Sequence, residues 1–173
     1  MRESEREQFR QFVGASGGRL IRVAAALTGD HHAAEDLLQG ALARTAARWG
    51  KIDGDPEAYV RRAMYHAQVT VWRRRQRLRE TPTAQVPERP DLRDEIGATD
   101  RRLALRHALM RLGPRQRAVL VARYFEDLTE EQTADLLGCS PGTVRSQLHR
   151  ALARLRQIAP ELNESELNEE SIR

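Results

Sequence analysis

The chain has 173 residues, which is enough for one helical domain or for two small domains with a modest hydrophobic core each. Its 29 Lys and Arg against 25 Asp and Glu give a formal net charge of +4, and every positive residue except Lys51 is an arginine. A single cysteine, Cys139, excludes an internal disulfide and an all-cysteine zinc site. No apolar run approaches the length that spans a bilayer, and no leader pattern is present, so we expect a cytoplasmic protein with no membrane contact.

The positive charge is concentrated ahead of an acidic C-terminal segment. Residues 160–173 contain five Glu and one Arg, which leaves 28 Lys and Arg against 20 Asp and Glu in residues 1–159. This excess predicts a polyanionic partner for the folded part of the chain. The composition of the tail, residues 159–173, favours a disordered segment, and competition with phosphates for nearby arginines is the alternative.

Apolar residues recur at helical spacing, and no alternating run bounded by turn residues indicates a β-strand. The sequence therefore predicts an all-α fold. Glycines at positions 14, 17 and 18 separate the first two predicted helices, and Asp30 and Asp55 are the predicted N-caps of the next two. Together these helices predict a four-helix first domain, residues 1–78, with helices over residues 3–13, 19–27, 31–49 and 56–78.

One face of the fourth predicted helix carries aromatic side chains interspersed with arginines. This combination is typical of surfaces that bind single-stranded nucleic acid, because bases stack on the rings while arginines follow the phosphates. An equally open alternative is that Tyr65 and Trp72 complete the core and the arginines are merely solvated. The candidate binding residues are Arg61, Arg62, Tyr65, His66, Thr70, Arg73 and Arg74.

A break in the pattern divides the chain. Residues 79–99 contain three prolines, mixed charge and no apolar period, which predicts a flexible linker. Two short helices are predicted after it, over residues 102–112 and 115–125, and they are expected to pack beneath a further pair of helices in residues 128–156. The second domain is predicted to comprise residues 100–158.

Residues 128–156 read as two helices joined by a very short turn, which is a helix-turn-helix. Thr129 is the predicted N-cap of the first helix, with Gln132 as its capping-box partner, and Gly138 suits the helix end. Ser140 is the predicted N-cap of the second helix. An apolar stripe on that second helix is predicted to face the core; its members are Val144, Leu148, Ala151, Leu152 and Leu155.

The opposite face of the second helix carries only hydrogen-bonding side chains, two of them guanidiniums. Short polar residues near a helix N-terminus read base edges in the major groove, and arginine binds guanine or phosphate. The alternative is a solvated face on an ordinary helical hairpin, but the short turn and the basic outer face favour DNA binding. The candidate residues are Thr143, Arg145, Ser146, His149 and Arg150.

Taken together, residues 27–44, 55–67 and 112–156, with the proline-rich break between the last two, resemble the extracytoplasmic-function sigma factors, group 4 of the sigma-70 family. The resemblance implies a non-catalytic subunit, without cofactor or metal, that directs core RNA polymerase to promoters and assists melting. Its implied partners are the clamp helices of the beta-prime subunit, the beta flap, double- and single-stranded promoter DNA, and an anti-sigma factor as a further candidate.

In the family, an acidic-Leu-Leu-Gln segment contacts the clamp helices, which here corresponds to Asp36, Leu37, Leu38 and Gln39. The fourth helix then recognises and opens the minus-10 element, and the second helix of the helix-turn-helix reads the minus-35 element. This chain departs from the family pattern in two places. Gly40 and Ala41 replace an acidic and a large apolar residue, and His66 replaces a common Asn.

Two other classes of protein compete with this interpretation. A stand-alone helix-turn-helix regulator shares the C-terminal features, but it leaves the aromatic and basic helix without a role and usually needs a dimerisation heptad that is not evident here. A metal-dependent enzyme would rest on His31, His32, Glu35 and Asp36, yet no second set of ligands is placed by the sequence.

Overall fold

The structure is a computed structural model that describes the backbone of residues 2–79 and 100–160 and the side chains of residues 2–70 and 103–160. Every regular element in these ranges is a helix, which confirms the predicted all-α class. The predicted linker, apart from Arg79, and the acidic tail beyond Pro160 lie outside the described residues. In chain order the helices are α1 (Glu3–Thr28), α2 (His31–Ala46), α3 (Pro56–Arg79), α4 (Asp100–Met110), α5 (Pro114–Leu120), α6 (Glu130–Leu137) and α7 (Pro141–Ile158). A 3-10 helix (Trp49–Lys51) precedes α3, and one turn of π-helix (Val121–Phe125) extends α5.

The predicted break between the first two helices is wrong, because α1 runs unbroken from Glu3 to Thr28. The first domain therefore has three α-helices and a 3-10 turn. A glycine costs about 1 kcal/mol relative to alanine inside a helix, which is less than burying a large aliphatic side chain contributes. Leu20 and Leu27 are fully buried on α1, and this packing holds the glycine-containing segment in the helix.

We expect Gly14→Ala to raise the free energy of unfolding by about 0.5–1 kcal/mol, because alanine restricts the unfolded chain more than glycine does. Apart from its chain neighbours and the backbone of the same helical turns, no heavy atom lies within 4 Å of the position that a Cβ of residue 14 would take. Gly29→Ala is the matched control, since Gly29 has φ 72° and its Cβ would clash with the side chain of Met110. Urea denaturation of both variants checks the opposite signs, and a destabilised Gly14→Ala would contradict this account of α1.

The first domain is a bundle of α1, α2 and α3 whose caps follow the sequence signals. The Asp30 side chain accepts a hydrogen bond from the Ala33 N–H at 2.7 Å, and the Asp55 side chain accepts one from the Glu57 N–H at 2.9 Å. Large apolar side chains from the three helices form the core between them, among them Leu20, Leu27, Leu38, Val60 and Met64.

The second domain packs α7 against α4, α5 and α6. Ala108, Leu112 and Leu120 meet one end of α7, while Val119 and Ala134 surround Val144 at the other end. Ala134 is a small buried residue where α6 crosses α7. Packing continues to Ala159, which is buried one residue beyond the predicted end of this domain at residue 158.

The two helical domains also pack against each other. Ala118, Val121, Ala122 and Leu136 of the second domain belong to the same apolar cluster as the core of the first domain. Helix α3 provides most of the contact, facing α5 and α6. The sequence predicts a separate core for each domain and gives no signal for this shared interface, so the interface is a finding of the structure alone.

Candidate nucleic-acid and polymerase interfaces

The helix-turn-helix is built by the predicted local caps. The Thr129 hydroxyl accepts from the Gln132 N–H at 3.2 Å, and the Gln132 amide oxygen accepts from the Thr129 N–H at 2.8 Å. Gly138 ends α6 with φ 64°, a left-handed conformation that favours glycine. The Ser140 hydroxyl then accepts from the Thr143 N–H at 3.2 Å and starts α7. These caps fix the angle between α6 and α7 and thereby the presentation of α7.

Helix α7 has one buried and one exposed face. Val144, Ala151 and Leu155 are buried, while Leu148 and Leu152 of the same stripe are half-buried. All candidate minus-35 residues are solvent-exposed, namely Thr143, Arg145, Ser146, His149 and Arg150. The structure thus brings the five candidate groups together on one accessible surface of a capped helix, which is the geometry that a major-groove reader requires.

Glu130, at the start of α6, is a neighbour of this surface that the sequence reasoning missed. Its carboxylate accepts from Arg145 Nη2 at 2.7 Å and from Arg145 Nε at 3.4 Å, a two-point contact that fixes the plane of the guanidinium. The hydrogen bond from Arg145 lowers the pKa of the Glu130 carboxyl. The sequence shows that Glu130 is an acidic residue in the first turn of α6. Its pairing with Arg145 cannot be predicted from the sequence, because it depends on how α6 and α7 pack against each other.

The candidate minus-10 residues on α3 are not on one free surface. Tyr65 is predicted on the outer face, but it is 0% exposed, which favours the alternative that it completes the core. Arg61 is half-buried, whereas Arg62, His66 and Thr70 are exposed. The side chains of Trp72, Arg73 and Arg74 lie outside the described residues, so their assignments stay predictions.

Polar groups of the second domain contact this face of α3. The Tyr65 hydroxyl donates to Glu126 Oε2 at 2.5 Å, and Arg61 Nε lies 2.7 Å from Glu126 Oε1. Arg62 Nη2 donates to the Asp135 carbonyl at 3.2 Å. His66 Nε2 lies at hydrogen-bonding distance, 3.2 Å, from the Leu136 carbonyl. Four of the seven candidate minus-10 side chains therefore have partners in the second domain.

Burial dominates the electrostatics of this contact. Desolvation raises the pKa of the Glu126 carboxyl, and it raises the pKa of Tyr65 well above its usual value with a further contribution from the negative charge of Glu126. Tyr65 is therefore a neutral donor at neutral pH. Arg61 carries a second ion pair, from Nη2 to Glu57 Oε1 at 2.8 Å, which ties it to its own domain.

Three of the four candidate clamp-contact side chains on α2 are accessible. Asp36 and Gln39 are exposed and Leu37 is half-buried, so these three side chains are accessible to a partner. Leu38 is only 9% exposed and packs in the core of the first domain. Leu38 is thus not accessible to a partner in this structure, because residues 37 and 38 are about 100° apart around a helix and the bundle buries one of them. Leu37 is therefore the accessible apolar side chain of this candidate segment.

The residues behind the metal hypothesis lie in the first two turns of α2. His31 Nε2 lies 3.3 Å from Glu35 Oε1, and His32 Nδ1 lies 3.7 Å from Glu35 Oε2. Within residues 2–70 and 103–160, no three His, Cys, Asp or Glu side chains converge in a way that would hold a metal ion. In the same part of the chain, no helix combines the length and apolar character needed to cross a membrane.

Comparison with known proteins accounts for both domains. The family model of sigma-70 region 2 matches residues 12–78, and that of sigma-70 region 4 matches residues 102–155. The RNA polymerase sigma-E factor of Streptomyces coelicolor is 42% identical, over 94% of this chain and 93% of that protein. The ECF RNA polymerase sigma factor SigL of Mycobacterium tuberculosis is 34% identical, over 83% of this chain and 84% of that protein. The chain therefore belongs to the ECF sigma factors of the sigma-70 family.

Solved structures agree on the fold. The sigma factor RpoE in complex with the anti-sigma factor NepR, from Bartonella quintana, superposes with a TM-score of 0.66 at 23% identity, over 89% of this chain and 98% of that chain. CnrH in complex with the cytosolic domain of CnrY gives a TM-score of 0.62 at 18% identity, over 91% of each chain. At these identities the likeness is evidence for the helical fold and not for particular residues.

Proposed function

We propose that this sigma factor recognises the minus-35 element with the exposed face of α7 and the minus-10 element with the outer face of α3. Helix α2 binds core RNA polymerase. The observation that carries the proposal is the capped helix-turn-helix, whose α7 presents five polar side chains to solvent opposite a buried apolar stripe. A basic chain with its arginines on such a face is suited to phosphates and base edges.

Within α7, the residues nearest its N-terminus are best placed for base edges, and those further along for the phosphates that fix its position in the groove. Arg145 is in the second turn and is held in one plane by Glu130. A guanidinium fixed in this way is preorganised for a two-point contact with guanine, because less side-chain freedom is lost on binding.

Arg145→Ala is expected to weaken binding of a minus-35 duplex by about tenfold to a hundredfold, the usual effect of losing a bidentate base contact. Arg154→Ala is the matched control, since Arg154 is also an exposed arginine of α7 but lies near its C-terminal end, outside the candidate set. Fluorescence anisotropy with a labelled duplex at fixed salt compares the two. If both variants lose the same affinity, Arg145 contributes only general charge and the base-reading role is wrong.

The proposed polymerase contact consists of Asp36, Leu37 and Gln39, with the beta-prime clamp helices as partner and the beta flap as the site for the second domain. The Asp36 carboxylate and the Gln39 amide are accessible to hydrogen-bonding partners, and Leu37 is the one apolar side chain beside them. We therefore expect a small, mainly polar contact in which Leu37 supplies the apolar part. The sigma factor RpoE of Bartonella quintana is described in complex with the anti-sigma factor NepR, and an anti-sigma protein is accordingly a proposed partner of this chain. We place the protein in the cytoplasm with the polymerase, and we propose no catalytic role of its own.

The stand-alone regulator is not favoured. It explains α6 and α7, but the sigma-70 region 2 match over residues 12–78 accounts for the first domain as well. Mapping transcript start sites after induced expression tests the proposal. We expect the induced start sites to share two upstream sequence blocks at a constant spacing. Induced start sites without a shared pair of blocks would contradict it.

A further inference from the structure

We propose that Glu130 determines base specificity at the minus-35 surface, because it holds Arg145 in an orientation that accepts guanine and disfavours the other bases. The same carboxylate repels phosphates, so it lowers the affinity of α7 for DNA in general. The inference rests on the proposed minus-35 role of α7, and it assigns to a residue of α6 a positioning role that acts through Arg145.

The first turn of α6 holds Glu130 at a fixed position. Glu130 is the first residue of the helix, directly after the Thr129 N-cap, and the capping box of Thr129 and Gln132 closes this turn with hydrogen bonds of 2.8 and 3.2 Å. Its side chain is 26% exposed, against 73% for Arg145. The carboxylate therefore lies at the edge of the packed helices and anchors a longer side chain that has more rotamer freedom.

The contact with Glu130 uses only one edge of the Arg145 guanidinium. Nη2 donates to Glu130 Oε2 at 2.7 Å, and Nε donates to Oε1 at 3.4 Å. A guanidinium has five N–H groups in one plane, so three remain. One of these on Nη1 and one on Nη2 form a second fork of donors at the end of the side chain, and the contact with Glu130 fixes the direction in which this fork points.

A fork of two donors matches guanine among the four bases. Guanine presents two acceptors, N7 and O6, in the major groove, whereas adenine presents a donor beside N7, cytosine an amino donor and thymine a single acceptor. A freely rotating arginine avoids a mismatched base by turning to a phosphate. With Glu130 in place, turning away breaks a charge-assisted contact, so a base without two acceptors leaves a donor of Arg145 unpaired.

The charge of Glu130 has an opposite effect on overall affinity. The hydrogen bond from Arg145 lowers the pKa of the Glu130 carboxyl, and the charge of Arg123 lowers it further, so the group is ionised at neutral pH. A carboxylate beside a guanidinium that enters the groove lies near phosphates and repels them whatever the sequence. Removing Glu130 is therefore expected to strengthen general DNA binding and to weaken discrimination between bases.

Three variants of the full-length chain separate these two effects. Glu130→Ala removes both the anchor and the charge. Glu130→Asp keeps the charge, but its side chain is one methylene shorter and cannot hold Arg145 in the same geometry. Glu131→Ala is the matched control, because Glu131 is exposed in the same turn and influences Arg145 through its charge, whereas Glu130 also accepts hydrogen bonds from it. Far-UV circular dichroism verifies that every variant retains its helices.

Fluorescence anisotropy at fixed salt measures discrimination with labelled duplexes. One duplex carries the minus-35 block of a mapped promoter, and a set of further duplexes replaces each of its base pairs in turn. Arg145→Ala identifies the base pair that Arg145 reads, which we expect to be G·C, because discrimination falls at that position. At the same position, Glu130→Ala and Glu130→Asp should lose about tenfold in discrimination, at the lower end of what a bidentate base contact provides. Glu131→Ala should discriminate as the wild type does.

A duplex of scrambled sequence measures general affinity in the same assay. Glu130→Ala and Glu131→Ala should both bind it about threefold more tightly than the wild type, which is the effect of removing one screened surface charge. Glu130→Asp should bind it with wild-type affinity, because its charge is retained. This contrast assigns the gain in affinity to charge and the loss of discrimination to the contact with Arg145.

The outcomes distinguish this inference from the proposed function. Wild-type discrimination in Glu130→Ala would overturn the positioning role of Glu130 and leave the minus-35 role of α7 intact. An equal loss of discrimination in Glu131→Ala, or a base pair other than G·C at the position that Arg145 reads, would overturn it as well. If neither the wild type nor Arg145→Ala discriminates among the duplexes, the minus-35 role of α7 is contradicted and the inference fails with it.

Discussion

Val144→Asp is expected to unfold the helix-turn-helix domain and to abolish binding of minus-35 DNA. Val144 is 0% exposed and packs against Val119 and Ala134 where α5, α6 and α7 meet. An aspartate there either buries an unpaired carboxylate or forces the helices apart. An uncompensated buried charge costs roughly 3–5 kcal/mol, a large part of the 5–15 kcal/mol that stabilises a typical domain.

Far-UV circular dichroism and urea denaturation check this prediction. Arg145→Ala is the control, because it changes the adjacent residue on the exposed face of the same helix and should retain wild-type helicity. Two results would contradict the assignment of the faces of α7, namely a fully helical Val144→Asp or an equal loss of helicity in both variants.

Asp36→Arg should abolish association with core RNA polymerase while the second domain still binds minus-35 DNA. Asp36 is exposed on α2, beside the half-buried Leu37 and the exposed Gln39, so the substitution reverses a charge in the centre of the proposed contact. Placing like charges together across an interface costs several kcal/mol, which corresponds to roughly a hundredfold loss of affinity or more.

Asp53→Arg is the matched control, since Asp53 is also exposed in the first domain but lies in the loop between the 3-10 helix and α3. Copurification with tagged core polymerase compares the wild type and the two variants. If Asp36→Arg copurifies at the wild-type level, the polymerase contact lies elsewhere on the chain. If Asp53→Arg loses copurification with core polymerase to the same extent, the loss reflects the change in net charge and not a contact of Asp36.

Local sequence signals predicted much of the second domain. The Thr129 and Ser140 caps, the glycine end of α6 and the buried stripe of α7 depend on residues within one or two turns of each other, and the structure contains all of them. The exposed face of α7 could be predicted as well, because the polar face of an amphipathic helix lies opposite its buried apolar stripe.

The features that sequence reasoning missed depend on residues far apart in the chain. Continuity of α1 through its glycines is decided by packing against α2 and α3, and the choice between Leu37 and Leu38 is decided by which one the bundle buries. The burial of Tyr65 and the pairing of Glu126 with Arg61 arise only when the second domain meets α3. No local pattern carries that information.

Run-off transcription is the measurement that most directly tests the central claim that this chain gives RNA polymerase its promoter specificity. Core polymerase from the same bacterium is supplied with a template carrying a mapped promoter, in the presence and absence of the purified protein. The account predicts a transcript from the mapped start site only when the protein is present, and no such transcript with Asp36→Arg. Transcription that is independent of the protein, or absent with it, would contradict the account.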